Sequence, residues 1–360
     1  MSFAGDRPFI SFVIPVYNAA RYLRDAVLSI LAQTAGGYEI LLVNDGSHDS
    51  SGDLCNQLSA EYPFITAIHH DGNRGLGNAR NTGMDAARGE YIMFMDADDT
   101  ISRDLLRAVI DVLAEHPAPI TLFGVEEVYF SNKDAPSFSR IVTMDTPMSL
   151  SERRAIRELV IKLEETTLFG YAWNKVYAVD YLRNAGTRFG SEAFIEDVMF
   201  NVSAFENIHA LNILSGAFYR YNRRVESGLT GTYRSDYWAL HRMRVETIRR
   251  QYERWDMCTP AVKRRLGNLY VRYVFSALSR NCDRRADMRH ADRRAFLELI
   301  FDDETYKALI SYANASNVLV STMIRILRGK HVFSAMSIAR GIYLVKMRFP
   351  IAFARIKKKR

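Results

Sequence analysis

Short apolar runs and amphipathic segments alternate along the first 125 residues of the chain. Wholly apolar runs of this length indicate buried strands, and apolar residues spaced three or four positions apart indicate helices. This pattern predicts strands at 9–16, 38–43, 64–68, 91–95 and 119–124, and helices between them at 19–33, 50–60, 76–87 and 103–115. Apolar strands separated by helices favour an α/β fold with a mostly parallel central sheet that helices flank.

The pattern changes twice further along the chain. It is mixed and rich in aromatic residues from 126 to 230, and from 231 it becomes helical, with predicted helices at 237–255, 260–280 and 293–313. No internal repeat and no Gly/Ser-rich linker separates these regions. We therefore divide the chain into residues 1–125, residues 126–230 and a helical, basic C-terminal region at 231–360.

Composition excludes several classes of protein. A chain that is 48% hydrophobic and 25% charged is ordinary for a globular protein. Its three cysteines are widely spaced and form no CxxC, which argues against a disulfide framework or a cysteine zinc site and favours a reducing compartment. Charged residues at positions 6 and 7 exclude a secretory signal, and no run of about 18 apolar residues predicts a membrane-spanning helix.

The net charge of +7 is distributed unevenly. Residues 1–120 carry a net charge of −8, residues 231–360 carry +17, and 12 Lys and Arg but no acidic residue follow Glu304. Apolar residues accompany these basic ones at 318–327 and 342–353, as in an interfacial amphipathic helix, and Lys357–Arg360 would add attraction to anionic lipid. No nucleic-acid-binding motif is present. The sequence therefore predicts a peripheral anionic membrane surface as a partner, with a packed helical subdomain as the alternative.

Carboxylates follow the predicted strands at the positions where ligands bind in open α/β sheets. The first strand-to-helix turn lacks the glycines of a dinucleotide site, and no P-loop sequence is present. Asp45 ends the second strand, and Asp96, Asp98 and Asp99 follow the fourth. Three carboxylates within four residues repel one another unless a cation offsets their charge. Hard oxygen ligands favour Mg²⁺ or Mn²⁺ bridged to substrate phosphates.

Four motifs within about 90 residues together resemble the inverting family 2 glycosyltransferases, which have the GT-A nucleotide-diphospho-sugar transferase fold. They are Pro15-Val16-Tyr17-Asn18, Val43-Asn44-Asp45-Gly46-Ser47, Asn73-Arg74-Gly75 with Ala79-Arg80-Asn81, and Asp96-Ala97-Asp98-Asp99.

The resemblance implies a role for several of these residues. It implies that Pro15, Tyr17, Asp45 and Arg80 line the nucleotide-base pocket. It also implies that Asp96 approaches the ribose and that Asp98 binds the Mn²⁺ or Mg²⁺ ion on the diphosphate. Residues 1–125 would then be the nucleotide-sugar-binding half of the GT-A domain and residues 126–230 its acceptor-binding half.

The resemblance continues more loosely into the second half, where the sequence looks like bacterial members that build surface polysaccharides. It implies that Asp197 is the general base and that Trp173, Asn174, Lys175 and Glu196 lie on the acceptor side. A helix N-cap at 196–197 and a core position for Trp173 are the structural alternatives. The subgroup's closing motif is matched by Tyr221, Arg224, Ser227 and Thr230, although Asn222 replaces its usual basic residue.

These features predict a metal-dependent inverting glycosyltransferase. It would move a sugar from a nucleotide-sugar, most simply a UDP-sugar, to a hydroxyl of a polysaccharide or lipid-linked oligosaccharide, in the cytoplasm at the inner membrane face. Two alternatives remain. A nucleotidyltransferase also combines metal and nucleotide on an α/β sheet, but it typically carries a Gly-rich, basic first turn. A non-catalytic scaffold with the same fold would have no need of Asp98 and Asp197, and both are present.

Overall fold

The computed structural model describes residues 7–130, 135–191, 194–224 and 233–348. The chain forms two compact units, Met1–Glu226 and Ser227–Arg360. The first unit contains a ten-stranded sheet within the described residues. Its strands are β1 Ile10–Val16, β2 Tyr38–Asn44, β3 Ile65–His69, β4 Tyr91–Phe94, β5 Thr100–Ile101, β6 Ile120–Phe130, β7 Pro136–Val142, β8 Met148–Leu150, β9 Lys175–Ala178 and β10 Leu211–Arg224.

Helices connect these strands and cover the sheet. They are α1 Leu23–Leu31, α2 Ser51–Glu61, α3 Leu76–Ala86, α4 Leu105–Glu115, α5 Arg153–Glu165, α6 Val179–Asn184 and α7 Glu196–Phe205. The strands β3, β2, β1 and β4 lie side by side and parallel, and all residues of β1 and β4 are buried. The predicted α/β class is therefore confirmed, and the predicted strands of this half match the observed ones to within one residue at their starts.

The second half of the sheet is mixed rather than parallel. β9 runs antiparallel between β4 and β6, whereas β6 and β10 pair in parallel. β6 continues to Phe130, six residues beyond the predicted end at 124, because residues 125–130 pair with β7 on one side and β10 on the other. Two register shifts between Leu214 and Tyr219 bend β10. β6, β7 and β10 therefore extend beyond the parallel half of the sheet, and polar side chains lie on one face of this extension.

The second unit is helical in its described residues, as the sequence predicts from 231. Its helices are α8 Tyr237–Arg254, α9 Pro260–Arg280, α10 His290–Asp302, α11 Glu304–Leu309, α12 Val318–Arg328 and α13 Val332–Arg348. The predicted single helix at 293–313 is wrong, because Asp303 adopts an extended backbone and interrupts it. The carboxylate of Asp303 accepts hydrogen bonds from the backbone N–H groups of Thr305 and Tyr306, so that it caps a second helix.

The last two helices differ in how much apolar surface they bury. α12 buries Val320, Met323, Ile324 and Leu327, whereas α13 buries only Ala335 and Ala339. α13 leaves large apolar side chains exposed, namely Phe333, Leu344, Val345 and Met347. The predicted basic cluster Lys357–Arg360 lies outside the described residues. Within the described part of the chain, no helix combines the length and hydropathy needed to cross a bilayer.

Candidate active site

Three predicted donor-side residues, Pro15, Tyr17 and Asp45, lie at the ends of the neighbouring strands β1 and β2. Pro15 is buried inside β1, opposite Val43 of β2, so it supports the site from within the sheet. Tyr17 follows β1 and is 46% exposed, with its ring 6.4 Å from that of His48 in an edge-to-face arrangement. Tyr17 thus presents an accessible aromatic surface, while Pro15 does not reach solvent.

Asp45 organises the loop that enters α3. Its side chain is buried and accepts hydrogen bonds from the backbone N–H groups of Arg74 and Gly75, both at 2.8 Å, while His70 Nδ1 lies 2.7 Å away. Gly46 has a φ of +67°, and a β-carbon there would lie 2.5 Å from the backbone of the facing loop. The Asp-Gly pair is therefore required for close approach of two loops at the strand end.

Arg80 forms the centre of the site, although the sequence places it in a base pocket. Its side chain is only 1% exposed, with one guanidinium nitrogen 2.5 Å from Asp197 Oδ1 and the other 2.8 Å from Asp96 Oδ1. The nearby carboxylates raise the pKa of Arg80 and outweigh the opposing effect of burial. In this structure Arg80 bridges a carboxylate after β4 to one at the start of α7, and its buried charge is compensated by both.

The two acidic residues that begin α7 have different surroundings. Asp197 is 19% exposed, and its second oxygen accepts a hydrogen bond from the backbone N–H of Ala172 at 3.0 Å. Glu196 is 7% exposed, and its Oε2 has no hydrogen-bond partner within the described residues. Burial, together with the charge of Asp197, raises the pKa of Glu196 to about 7. Asp197 is therefore held in place by two donors, whereas Glu196 is a buried acid that favours its protonated form.

Asp98 and Asp99 are adjacent in sequence but differ in environment. Asp99 is fully buried and accepts hydrogen bonds from the Tyr219 hydroxyl at 2.8 Å and the Asn222 backbone N–H at 2.7 Å. The side chain of Asp98 is 41% exposed, and Arg224 lies 3.3 Å from its Oδ2. Burial and repulsion from Asp96 raise the pKa of Asp98 to about 6. Asp99 therefore anchors β10, and Asp98 is the accessible carboxylate.

The donor set can be tested against a divalent cation. Among the described residues, no three acidic, histidine or cysteine side chains converge as a metal cage. Mg²⁺ in nucleotide sites is usually held by one or two carboxylates, with the remaining ligands supplied by water and substrate phosphates. One accessible carboxylate beside a second, Asp98 with Asp96, fits that mode of binding, and the excess of negative charge at the site favours a cation.

Three of the predicted acceptor-side residues, Trp173, Asn174 and Lys175, directly follow Ala172, whose N–H binds Asp197. Trp173 is 3% exposed and stacks between Tyr171 and Tyr219, with ring centroids 4.2 Å from each. Asn174 and Lys175 are fully buried, which differs from the expectation that they line an acceptor site. Lys175 begins β9 and Asn174 precedes it, and both side chains donate to the backbone carbonyl of Leu168, so they support the loop before them.

Lys175 ties that loop together. Its ammonium donates hydrogen bonds to the backbone carbonyls of Leu168, Phe169 and Tyr171 and to the side-chain oxygen of Asn174, at distances from 2.5 to 3.3 Å. Burial lowers the pKa of Lys175 to about 7, while the charge of Asp197 acts in the opposite direction. The same loop contains Ala172, whose N–H binds Asp197, so Lys175 acts at a distance on the position of that carboxylate.

β10 completes the site with residues of the closing motif. Arg224 donates to the backbone carbonyl of Asp98 at 3.1 Å, and Asn222 donates to the same carbonyl at 2.9 Å. Ser227 and Thr230 of this motif lie outside the described residues. Sequence reasoning missed Tyr219, whose hydroxyl accepts from the Asp96 N–H and donates to Asp99. The alternation of Tyr219, Tyr221 and Arg223 along β10 was the available signal. It does not identify the partners of Tyr219, because Asp96 and Asp99 are more than 100 residues away in sequence.

The chain is similar in sequence to known glycosyltransferases. Residues 11–184 match the model of the family described as Glycosyl transferase family 2. EpsJ from Bacillus subtilis, an uncharacterised glycosyltransferase, is 30% identical over 226 residues, which cover 61% of this chain. The alignment covers 62% of EpsJ, so this chain matches less than two thirds of that relative's length. The teichoic acid biosynthesis protein GgaB from the same organism is 35% identical over 117 residues, covering 32% of this chain and 13% of that protein.

Solved structures share the fold. The crystal structure of residues 1–349 of S. aureus TarS superposes with a TM-score of 0.63 at 18% identity and covers 93% of this chain and 90% of that one. The same fragment in complex with UDP-GlcNAc gives a TM-score of 0.62 at 16% identity, covering 93% and 91% of the two chains. At this identity the likeness concerns the fold alone.

Proposed function

Because residues 11–184 match the model of glycosyltransferase family 2, we propose that the chain is a member of that family and transfers a sugar from a nucleotide-sugar, most simply a UDP-sugar, to a hydroxyl group of a polysaccharide or lipid-linked oligosaccharide. The observation that carries this proposal is the bridge from Asp96 through Arg80 to Asp197. The guanidinium of Arg80 thus holds the Asp96 carboxylate, at the end of the parallel sheet, close to the Asp197 carboxylate on α7. A transferase needs these two functions, donor binding and proton removal, at adjacent positions.

Asp197 is the proposed general base. An acceptor hydroxyl is a weak nucleophile, so its proton passes to Asp197 as its oxygen attacks the anomeric carbon. The bond from that carbon to the β-phosphate oxygen breaks, and its electron pair leaves with the nucleoside diphosphate. Attack from the face opposite the leaving group inverts the anomeric configuration and requires no covalent enzyme intermediate. Arg80 and the Ala172 N–H orient the carboxylate for this step.

The donor would bind at the ends of β1, β2 and β4. The half-exposed ring of Tyr17 offers a surface on which a base can stack, and Asp45 shapes the loop beside it. Asp96, with its side chain 27% exposed, would approach the ribose. TarS residues 1–349, which share this fold, form a complex with UDP-GlcNAc, and a UDP-sugar is therefore the first donor to test.

Asp98 would hold a divalent cation, Mn²⁺ or Mg²⁺, together with the donor's phosphates. Such a cation supplies neutralisation of the charge that develops on the leaving diphosphate. Arg224, 3.3 Å from Asp98, adds a fixed positive charge at the same end of the site. Arg224 at the end of β10, and the cation on Asp98 in the loop after β4, would together hold the leaving group.

We also propose that the protein works in the cytoplasm, attached to the inner face of the membrane through α13. Along this helix Phe333, Leu344 and Met347 recur at the spacing of one face, and all three are exposed. Arg340 and Arg348 belong to the same face. A helix that exposes apolar and basic residues together, without acidic ones, suits an anionic lipid surface.

The test of the catalytic proposal is hydrolysis and transfer with a panel of nucleotide-sugars in the presence of Mn²⁺. We expect turnover with at least one donor, and we expect Asp197→Asn to lower kcat by about 10²–10⁴ while affinity for the nucleoside diphosphate is retained. Asp53→Asn, the same change at an exposed position of α2, is the matched control and should leave kcat unchanged. Loss of diphosphate affinity in the Asp197 variant would instead place that residue in the nucleotide site.

A further inference from the structure

One face of strands β10, β6 and β7 carries aromatic and charged side chains beyond the proposed base. Alternate residues of a strand point to the same side of the sheet, and cross-strand pairing sets them in rows. Tyr221 pairs with Glu127 and Glu127 with Arg140, while in the next row Arg223 pairs with Tyr129. We call these five residues the β6–β7–β10 face.

Glu127 holds this face together. It is fully buried and accepts hydrogen bonds from Arg140 at 2.7 and 3.0 Å and from the Tyr129 hydroxyl at 2.6 Å. Arg223 lies 3.6 Å from the same carboxylate. The hydrogen bonds from Arg140 and the charge of Arg223 lower the pKa of Glu127 to about 2 against the opposing effect of burial. One negative charge therefore faces two arginines, so that the face carries a net positive charge.

Arg223 presents that charge to solvent. Its guanidinium lies 5.2 Å above the ring of Tyr129 and 5.5 Å from the ring of Tyr221, and its side chain is 30% exposed. Both rings pack against the guanidinium, whose planar set of donors suits a carboxylate or phosphate group. Tyr129 also stacks on Phe138, with ring centroids 4.7 Å apart, so the half-buried ring of Tyr221 is the one that offers apolar surface to a sugar.

The face is continuous with the proposed catalytic base. The ring of Tyr221 lies 5.1 Å from that of Trp173 and 5.9 Å from that of Tyr171. Tyr171 precedes Ala172, the residue whose N–H holds Asp197. An acceptor whose hydroxyl approaches Asp197 would therefore extend its neighbouring units over these aromatic rings.

We propose that the β6–β7–β10 face binds the acceptor and selects a glycan that carries negative charge, as phosphate or carboxylate groups. The proposal rests on the proposed function for the position of the reacting hydroxyl. Its physical basis is that Arg140 and Arg223 face the single carboxylate of Glu127. That carboxylate already accepts hydrogen bonds from Arg140 and Tyr129, so the charge of Arg223 is only partly balanced. A neutral glycan would leave two arginine charges facing the single carboxylate of Glu127, whereas an anionic group would balance the second one.

The test is calorimetric binding of three oligomers of matched length: a poly(glycerol phosphate), an oligogalacturonate and a neutral dextran. We expect at least one anionic oligomer to bind at least 10-fold more tightly than dextran, and Arg223→Gln to remove about 10-fold of that affinity, as for a charged hydrogen bond. Arg223→Lys, which keeps the charge but not the planar fork, should retain part of it. The phosphate and carboxylate oligomers show which anion is preferred.

Arg220→Gln is the matched control, because Arg220 lies on the same strand but on its opposite face, with its side chain 48% exposed. It should bind all three oligomers as the wild type does. Equal affinity of the wild type for dextran and for both anionic oligomers would overturn the proposal, as would equal losses in the Arg220 and Arg223 variants. Donor hydrolysis without acceptor tests the proposed function separately. A chain that hydrolyses no donor but still prefers anionic oligomers would refute only that function.

Discussion

Replacing Glu196 by Gln should make the protein more stable at alkaline pH. Glu196 is 7% exposed, its Oε2 has no hydrogen-bond partner within the described residues, and Asp197 is its immediate neighbour. Burial and that neighbouring charge raise its pKa from the ordinary 4.5 to about 7. Glutamine has the same shape and no charge, so it relieves the burial of an ionised carboxylate.

The sign follows from proton binding in the two states. Between pH 4.5 and about 7 the folded protein keeps a proton on Glu196 that the unfolded chain has released, so the free energy of unfolding falls as pH rises through this window. The full difference corresponds to about 3 kcal/mol above pH 7, at about 1.4 kcal/mol for each tenfold change in proton affinity. The Gln variant should lack this fall and exceed the wild type at pH 8 by up to about 3 kcal/mol.

Urea unfolding between pH 4.5 and 8 measures this difference. The chain has three tryptophans, of which only Trp173 lies in the first unit, so Trp238→Phe and Trp255→Phe make fluorescence report on that unit. Glu115→Gln, at an exposed position of the same unit, is the control and should leave the pH dependence unchanged. A Glu196→Gln variant that is less stable than the wild type at pH 8, or that keeps the same slope with pH, would refute the reasoning.

Three further predictions address the metal, the membrane and the helical unit. Asp98→Asn should weaken Mn²⁺-dependent binding of the nucleoside diphosphate with little change in metal-free binding, and calorimetry with and without Mn²⁺ compares them; equal metal dependence in variant and wild type would contradict the assignment. Paired substitution of Leu344 and Met347 by Ser should reduce co-sedimentation with anionic vesicles, whereas Leu299→Ser, at another exposed apolar position, should not. Asp303→Ala removes a helix N-cap and should lower the free energy of unfolding of the second unit by about 1 kcal/mol in urea titrations; an unchanged midpoint would show that the cap is dispensable.

Point substitutions test membrane binding better than a C-terminal truncation would, because a truncation would also remove buried residues. Removing residues from 315 onwards would delete α12, whose Val320, Met323, Ile324 and Leu327 are buried. Such a deletion would damage the core and could lose vesicle binding for that reason alone. Exposed residues of α13 can be changed without that cost, because they bury little area.

The parallel half of the sheet could be predicted from sequence because each of its elements is defined by local pattern. The apolar runs form buried strands, and acidic or glycine-containing turns come directly after them. Since parallel strands end at the same edge of a sheet, these turns lie at that edge. Asp45, Asp96 and Asp98 could therefore be placed at one edge without any structure. The break at Asp303 could not, since the apolar spacing continues through it and the decisive interaction is a side-chain cap.

The positions of Arg80 and Lys175 depend on long-range packing that local pattern does not record. Arg80 lies on a helix, and its partners Asp96 and Asp197 are 16 and 117 residues away in sequence. Lys175 lies two residues after Trp173 in a motif that was expected to line the acceptor site, yet it is fully buried beneath a loop. A lysine in an apolar strand is compatible with either position, and only the four oxygen acceptors around its ammonium decide between them.

That loop connects the base to the acceptor face, which gives Lys175 a significance beyond packing. The carbonyls that it binds belong to residues 168–171, and the next residue, Ala172, donates its N–H to Asp197. Tyr171, in the same turn, places its hydroxyl 3.3 Å from Glu127 and its ring beside that of Tyr221. The ammonium of Lys175 and the side-chain amide of Asn201, which also donates to the carbonyls of Phe169 and Tyr171, therefore fix a turn whose backbone orients the base and whose side chain contacts the cationic face. A shift of this turn would move the backbone donor to Asp197 and the ring of Tyr171 together, because both belong to residues 171–172.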